Sequence, residues 1–375
     1  MTPRRYAVVA GGGTGGHALP ALAVARALAD RGHDRRAIEL VGSRRGPEGD
    51  LLAGEGFEVT LLPGRGLSRR LSLAGLATNL EAVAGLASAL GRSLMATARS
   101  RPRVVVSIGG YASFAPAAAA VVFRVPLVLV NIDAVPGLVH RVLGRLAAAS
   151  AVAFPGTPLP RAVVTGTPVR REVQEVDRSP AAVAAARQAL GLPPDRATVG
   201  VFGGSLGARR INQAVADLAG RWGDRTDVAV YHVTGQRGWE ELGPAEADDG
   251  RPGLRYRRVP FERQMARLYQ AADVVVCRAG ATTAAELAVA GVPSVLVPLP
   301  GAPGDHQTAN ARALVRAGAA VMVPDDECDA GRLGEVLDEL LADPARRESM
   351  GRAARGLGHP DAAARVAEVV DAHAR

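Results

Sequence analysis

The chain contains no lysine: all 45 of its basic residues are arginine. That uniformity reads as a coding bias, so the formal charge of +8 favours anionic partners only weakly. Aromatic residues make up 3% of the chain, too few for base-stacking platforms, so no nucleic-acid partner is expected. Only two cysteines occur, Cys277 and Cys328, without a C-x-x-C spacing. This excludes a disulfide scaffold and a cysteine zinc site, and suits a reducing compartment. The histidines at 17, 33, 140, 232, 306, 359 and 373 show no H-x-H or H-E-x-x-H pattern, so no metal site is expected. No uninterrupted apolar run is long enough for a membrane span. The most apolar stretch, 104–123, is broken by Gly109, Gly110, Ser113 and Pro116. The chain opens "MTPRR" and passes directly into an apolar run, with no signal peptide pattern. A cytoplasmic protein that touches a membrane surface is the expectation.

What is present is a repeated α/β pattern. At 375 residues and 48% hydrophobic, the chain suits two domains, each with its own core. Apolar runs such as "YAVVA", "AIELVG", "FEVTLLP", "RVVVSIG" and "PLVLVNI" alternate with Ala/Leu/Arg stretches. "TVGVFGG", "VAVYHVTG", "LRYRRVP", "DVVVCRAG" and "PSVLVPL" continue the series. Continuous apolar strands separated by helices predict parallel sheets covered on both faces. The pattern also begins twice. "YAVVAGGGTGGHALPALAVARAL" and "TVGVFGGSLGARRINQAVADLA" (198–219) both read strand, glycine turn, helix. The fold class expected is α/β, with two Rossmann-like domains facing across a cleft, rather than one large doubly wound sheet. The domains are placed at 1–168 and 169–357, near the charged, Pro-containing stretch 166–182. A C-terminal helix at 358–375 is expected to pack back on the first.

The glycine turns raise two chemistries. A strand-to-helix turn offers free N–H groups and the positive end of a helix dipole, and glycine lets a phosphate approach. Gly11, Gly13 and Gly16 satisfy G-x-G-x-x-G. A dinucleotide site also needs an acid ending the next strand. That strand ends in Gly42 and Ser43 instead, so only an NADP reading through Arg44 and Arg45 survives as an alternative. His17 directly follows the glycines at a helix start. It is either a capping or exposed residue or a base beside a reacting group, and the helix dipole favours the uncharged ring a base needs.

Beyond these readings, "GGGTGGH", "SIGGYASFAP", "AVPGLVHR", "GTPVR", "VFGGSLGARRIN", "CRAGATTAAELAVAGVPSVLVPLP" and "DHQTANARAL" resemble the MurG glycosyltransferase family, in the right order and over nearly the whole chain. The resemblance implies the glycosyltransferase-B fold, no cofactor, and an inverting transfer of N-acetylglucosamine from a UDP-sugar donor to a lipid-linked acceptor, the muramyl pentapeptide of peptidoglycan synthesis. It places the donor mainly in the second domain. The turn at Ser205 would hold the pyrophosphate and Glu286 the ribose hydroxyls. The backbone of Glu262 would read the uracil. Gln307 would contact the sugar hydroxyls, with His306 and Asn310 nearby, and Ala281, Thr282 and Thr283 would also bind substrate. Arg170 would meet the diphosphate, and Arg278 is as readily structural as ligand-binding. Thr14, Gly15, Gly16 and Tyr111 would contribute from the first domain, with His17 as the base.

The chain departs from the family's pattern on the acceptor side. Where "HEQN" is usual it reads Val130, Asn131, Ile132 and Asp133, and Thr167 replaces an Asn. The alternatives are therefore a related transferase with another lipid-linked or secondary-metabolite acceptor, in which Asp133 could be the base, and a sugar-nucleotide epimerase on the same fold. Leu67, Leu71, Leu73 and Leu76 lie among Arg65, Arg69 and Arg70, a pattern that suits an anionic membrane surface or simply a basic turn before a core helix. The resemblance favours the membrane.

Overall fold

The computed structural model describes residues 5–13, 15–44, 49, 52, 54–63, 73–204, 207–242 and 253–375, without the side chains of 15 and 73–80. The chain divides into two compact units, Met1–Arg170 with His359–Arg375, and Arg171–Gly358.

In the first unit the strands are β1 (Ala7–Gly11), β2 (Ile38–Ser43), β3 (Glu58–Leu62), β4 (Val104–Gly109), β5 (Leu127–Asn131), β6 (Ala149–Val152) and β7 (Ala162–Val164). They form a parallel sheet in the order β3-β2-β1-β4-β5-β6-β7. Val8, Ala10, Val105, Leu127 and Leu129 pack against Ala89, Ala115, Ala117 and Ala120 on one face. The helix Gly15–Asp30 lies against β1 and β2, and the C-terminal helix Ala362–His373 packs on it and on β4, β5 and β6. Burial on both faces is why β1, β2, β4, β5 and β6 lack a polar alternation, while the outer β3 and β7 are mostly exposed; each buried Val or Leu contributes about 2 kcal/mol. Asp371 pins the last helix, accepting from Tyr6, from Arg31 Nε at 2.6 Å and from His33 Nε2 at 3.0 Å.

The second unit repeats the plan. Its strands are β8 (Ala197–Phe202), β9 (Val228–Val233), β10 (Arg255–Val259), β11 (Val274–Cys277), β12 (Ser294–Leu296) and β13 (Ala320–Met322). All pair in parallel, in the order β10-β9-β8-β11-β12-β13. Helix starts follow local chemistry: Asp329 and Asp343 accept from the amides of Arg332 and Arg346 at 2.9 and 2.8 Å. Gly291, with φ +66°, ends the helix Ala281–Ala290 in the left-handed conformation.

Each sheet reverses its strand order once, between β1 and β4 and between β8 and β11. Ligands of open α/β sheets bind at that point, beyond the carboxyl ends of the strands. Cys277 and Cys328 are buried free thiols, and burial pushes Cys328 up to about 11. Among the described residues no helix is long and apolar enough to cross a membrane.

Candidate functional site

The carboxyl end of the second sheet carries most of the expected donor residues. After β8 the chain turns at Gly203 and Gly204 and enters the helix Arg209–Arg221, whose start has no side-chain cap. Gly207 (φ +75°) donates its N–H to the Gly204 carbonyl at 2.9 Å. A Cβ on Gly207 would stand 2.5 Å from the Thr234 carbonyl oxygen, so only glycine lets the turn lie this close to β9. Ser205 itself, together with Leu206, lies outside the described residues.

A polar chain beneath this turn escaped the sequence reading. The Asn212 amide donates to the Thr234 carbonyl at 2.8 Å. Its oxygen lies 3.1 Å from His232 Nε2, and His232 Nδ1 lies 2.8 Å from the Tyr256 hydroxyl. An amide oxygen only accepts, so His232 carries its proton on Nε2 and accepts from Tyr256 on Nδ1. Burial, then the nearby Arg258 charge, hold His232 down at about 3, which keeps the ring neutral. Asn212 lies within "VFGGSLGARRIN", but nothing in its spacing marks it as the link from this helix to β9 and the residue that follows it.

The helix Ala281–Ala290 supplies Glu286, 3% exposed, whose carboxylate accepts from the buried Tyr269 hydroxyl at 2.8 Å. Glu286 is thus held in place rather than solvated on a helix surface. Ala281 and Thr282 are buried and Thr283 is half-buried at the same helix start. The buried Asn310 donates to the Ala279 carbonyl at 3.2 Å, bracing the loop before that helix. Gln307 accepts from the Leu299 amide at 3.0 Å, and His306 donates through Nδ1 to the Pro303 carbonyl at 2.8 Å. Glu262 accepts from the Tyr231 hydroxyl and the Gln264 amide, both at 2.7 Å, so its carboxylate shapes the loop that carries its backbone. Arg278 donates through Nη1 to the Val297 and Pro298 carbonyls at 3.2 Å and to Asp325 at 2.6 Å, tying together the loops that leave β11, β12 and β13.

In the first unit, His17 sits half-buried in the first turn of the helix Gly15–Asp30, after Gly16. Thr14 lies outside the described residues, and Gly15 opens the helix. Gly11 permits this approach, since a Cβ there would stand 2.8 Å from the His17 carbonyl. Gly13 (φ +105°) makes room for an aromatic ring: a Cβ would fall 2.7 Å from Tyr111 Cε1. The Tyr111 hydroxyl bonds Ser43 at the end of β2, where a dinucleotide fold places its ribose-binding acid. Arg44 is engaged with the Leu61 carbonyl at 3.2 Å, and Arg45 lies outside the described residues. Gly11 and Gly13 of this G-x-G-x-x-G therefore serve close packing of His17 and Tyr111. Asp133 is half-buried in the turn after β5, and its carbonyl accepts from the Asn131 amide at 2.6 Å. The Thr167 hydroxyl donates to the Ile132 carbonyl of that turn at 3.4 Å. Arg170 is half-buried at the last position of the unit's main segment. Among the described residues no group of three or more His, Cys, Asp or Glu is placed to hold a metal ion.

Comparison with known proteins decides the family. Residues 7–152 match the glycosyltransferase family 28 N-terminal domain and residues 198–366 its C-terminal domain. The chain belongs to the MurG family of glycosyltransferases. A UDP-N-acetylglucosamine--N-acetylmuramyl-(pentapeptide) pyrophosphoryl-undecaprenol N-acetylglucosamine transferase from Alkalilimnicola ehrlichii is 41% identical, covering 98% of this chain and 99% of its own. The transferase of the same name from Desulforudis audaxviator is 37% identical, covering 97% of both. The crystal structure of Acinetobacter baumannii MurG has a TM-score of 0.74 at 26% identity, over 99% of this chain and all of its own. A kitacinnamycin glycotransferase structure, at 19% identity and TM-score 0.70 over both whole chains, shares the fold. The MurG family membership sets aside the NADP oxidoreductase alternative, as Ser43 and Arg44 already suggest.

Proposed function

We propose that this enzyme transfers N-acetylglucosamine from UDP-N-acetylglucosamine to the lipid-linked muramyl pentapeptide, with inversion at the anomeric carbon. The observation that carries the reading is the buried, Tyr269-anchored Glu286 in a chain up to 41% identical, over nearly its full length, to transferases named for that reaction. In this reading Glu286 takes the ribose hydroxyls, the Glu262 backbone the uracil, and Gln307, Asn310 and the start of the helix Ala281–Ala290 the sugar. The acceptor oxygen attacks the anomeric carbon as the bond to UDP breaks. His17 takes the acceptor proton. The charge growing on UDP meets the Ser205 turn, the amides opening the helix Arg209–Arg221, and Arg170. Alignment of the acceptor hydroxyl behind the anomeric carbon supplies the rest.

The test is UDP release from a panel of UDP-sugars, with and without lipid-linked muramyl pentapeptide. Turnover should require UDP-N-acetylglucosamine and that acceptor together. UDP at about 100 times its Kd should stabilise the fold by about 2.7 kcal/mol, and NADPH should not shift the melting temperature. Asp133 and Asn131 favour one second reading, a different lipid-linked acceptor, and turnover with such an acceptor alone would establish it.

We further propose that the enzyme works as a peripheral protein on the inner face of the cell membrane. Leu138 and Val142, one turn apart on the helix Leu138–Leu143, and Leu146 in the short turn that follows are 73%, 59% and 61% exposed. Phe123 and Val122 are also exposed, on the helix Phe114–Val122 and its end, which packs near the helix Leu138–Leu143. Arg124, Arg141 and Arg145 stand exposed among them. Apolar side chains ringed by cations suit an anionic leaflet. The patch expected from sequence differs: Arg65, Leu67, Arg69, Arg70 and Leu71 lie outside the described residues, as do the side chains of Leu73 and Leu76. Co-sedimentation with vesicles containing anionic lipid should be strong at low salt and weaken as salt rises. The double change Leu138→Ser and Val142→Ser removes about 2 kcal/mol of burial per side chain and should lower vesicle affinity at least ~30-fold. Equal binding to purely zwitterionic vesicles, unaffected by salt, would contradict this surface.

A further inference from the structure

Three loops at the carboxyl end of the first sheet meet around one buried imidazole. His140, 2% exposed, lies in the short helix Leu138–Leu143. Its Nδ1 is 3.2 Å from Asn131 Oδ1, at the end of β5, and its Nε2 is 3.3 Å from the Ser107 hydroxyl on β4. The Asn131 amide nitrogen donates to the Asp133 carbonyl at 2.6 Å, which leaves its oxygen facing His140. That oxygen can only accept, so the His140 proton sits on Nδ1 and Nε2 accepts from Ser107. The donors then run in one direction: Ser107 to His140, His140 to Asn131, Asn131 to the Asp133 carbonyl. Gly109 (φ +110°) separates the same ring from His17. A Cβ on Gly109 would stand 3.6 Å from His140 Cε1 and 3.3 Å from both Cδ2 and Nε2 of His17. Burial, then the charge of His17, hold His140 down at about 4, so the ring is neutral at physiological pH.

We propose that His140 is a positioning residue for the acceptor half of the reaction: its Nδ1–H locks Asn131, which sets the turn carrying Asp133, while the ring backs His17 across Gly109. The inference rests on the transferase reading for its acceptor. Without that donor the buried Asn131 oxygen is left unsatisfied, and its amide is held less firmly toward the Asp133 carbonyl. An Asn at position 140 can place an amide N–H where Nδ1–H stands, whereas the longer Gln reaches the Nε2 position near Ser107.

The variants His140→Asn, His140→Gln and His140→Leu test this. His140→Leu and His140→Gln are expected to lower kcat/KM for the lipid-linked acceptor ~10-fold or more, with UDP affinity unchanged, and His140→Asn to recover to within ~3-fold of the parent. Three variants with parental kinetics, or an equal loss of UDP affinity, would overturn the proposal. Should His140→Leu not fold, the comparison of Asn with Gln carries the same decision. The ¹⁵N spectrum of the histidine rings gives a readout that needs no turnover. A neutral Nδ1–H ring at pH 7, assigned by its disappearance in His140→Asn, is expected; an Nε2–H or doubly protonated ring refutes the chain of donors. Failure of the parent protein to use the muramyl acceptor would instead sink the functional reading and leave this spectrum to decide the geometry.

Discussion

Glu286→Ala should lower kcat/KM for UDP-N-acetylglucosamine by ~10²–10⁴, the largest effect expected of any single change on the donor side. Hydrogen bonds to a charged group contribute roughly 1.5–3 kcal/mol each, and the proposed site gives two ribose hydroxyls to this carboxylate. The change also strips the buried Tyr269 hydroxyl of its acceptor, so a stability loss of about 1–3 kcal/mol should accompany it. Tyr269→Phe separates the two effects. It removes the anchor but keeps the carboxylate, and should cost about 1 kcal/mol of stability with a much smaller loss of donor use. A Glu286→Ala protein that melts earlier yet keeps its donor KM would show that the carboxylate only supports the fold.

The second large effect concerns the base. His17→Ala is expected to lower kcat by ~10²–10⁴, the usual contribution of a general base, with UDP binding retained. Asp133→Asn is the paired experiment. With lipid-linked muramyl pentapeptide as acceptor, that change should be tolerated, because Asn is nearly the same shape as Asp and the bond from Asn131 to the backbone carbonyl at 133 is kept. A loss of ~100-fold or more in Asp133→Asn, beside an active His17→Ala, would move the base to Asp133 and point to a different acceptor.

These two experiments address residues that the sequence could nominate but not equip. Glu286 stood out within "ATTAAE", yet only the fold shows Tyr269, 17 positions earlier, lying against it. Likewise "GGGTGGH" announced a tight turn, and the three-dimensional arrangement shows what the glycines are for. Gly13 yields to the Tyr111 ring, and Gly11 to the start of the helix that carries His17. For Arg278, only the fold shows its partners, Asp325 and the Val297 and Pro298 carbonyls. Three strands had no clear signal. β6 is Ala or Ser at three of its four positions, β7 is a three-residue exposed edge, and β13 is three residues long. A run that short lacks the length from which period or continuity can be read.

By itself, the order of residues determined that this chain builds two successive parallel α/β units, each opening with a glycine turn. Apolar continuity records burial on both faces of a strand, and burial of hydrocarbon needs no named partner. What only the tertiary structure decided is the pairing of polar groups: Glu286 with Tyr269, Asn212 with His232, Asn131 with His140, Ser43 with Tyr111. Buried polar atoms must each find a specific donor or acceptor. In parallel sheets, adjacent strands can be far apart in the chain; Ala7 of β1 pairs with Val104 of β4. Partners brought together in that way leave no local pattern to read.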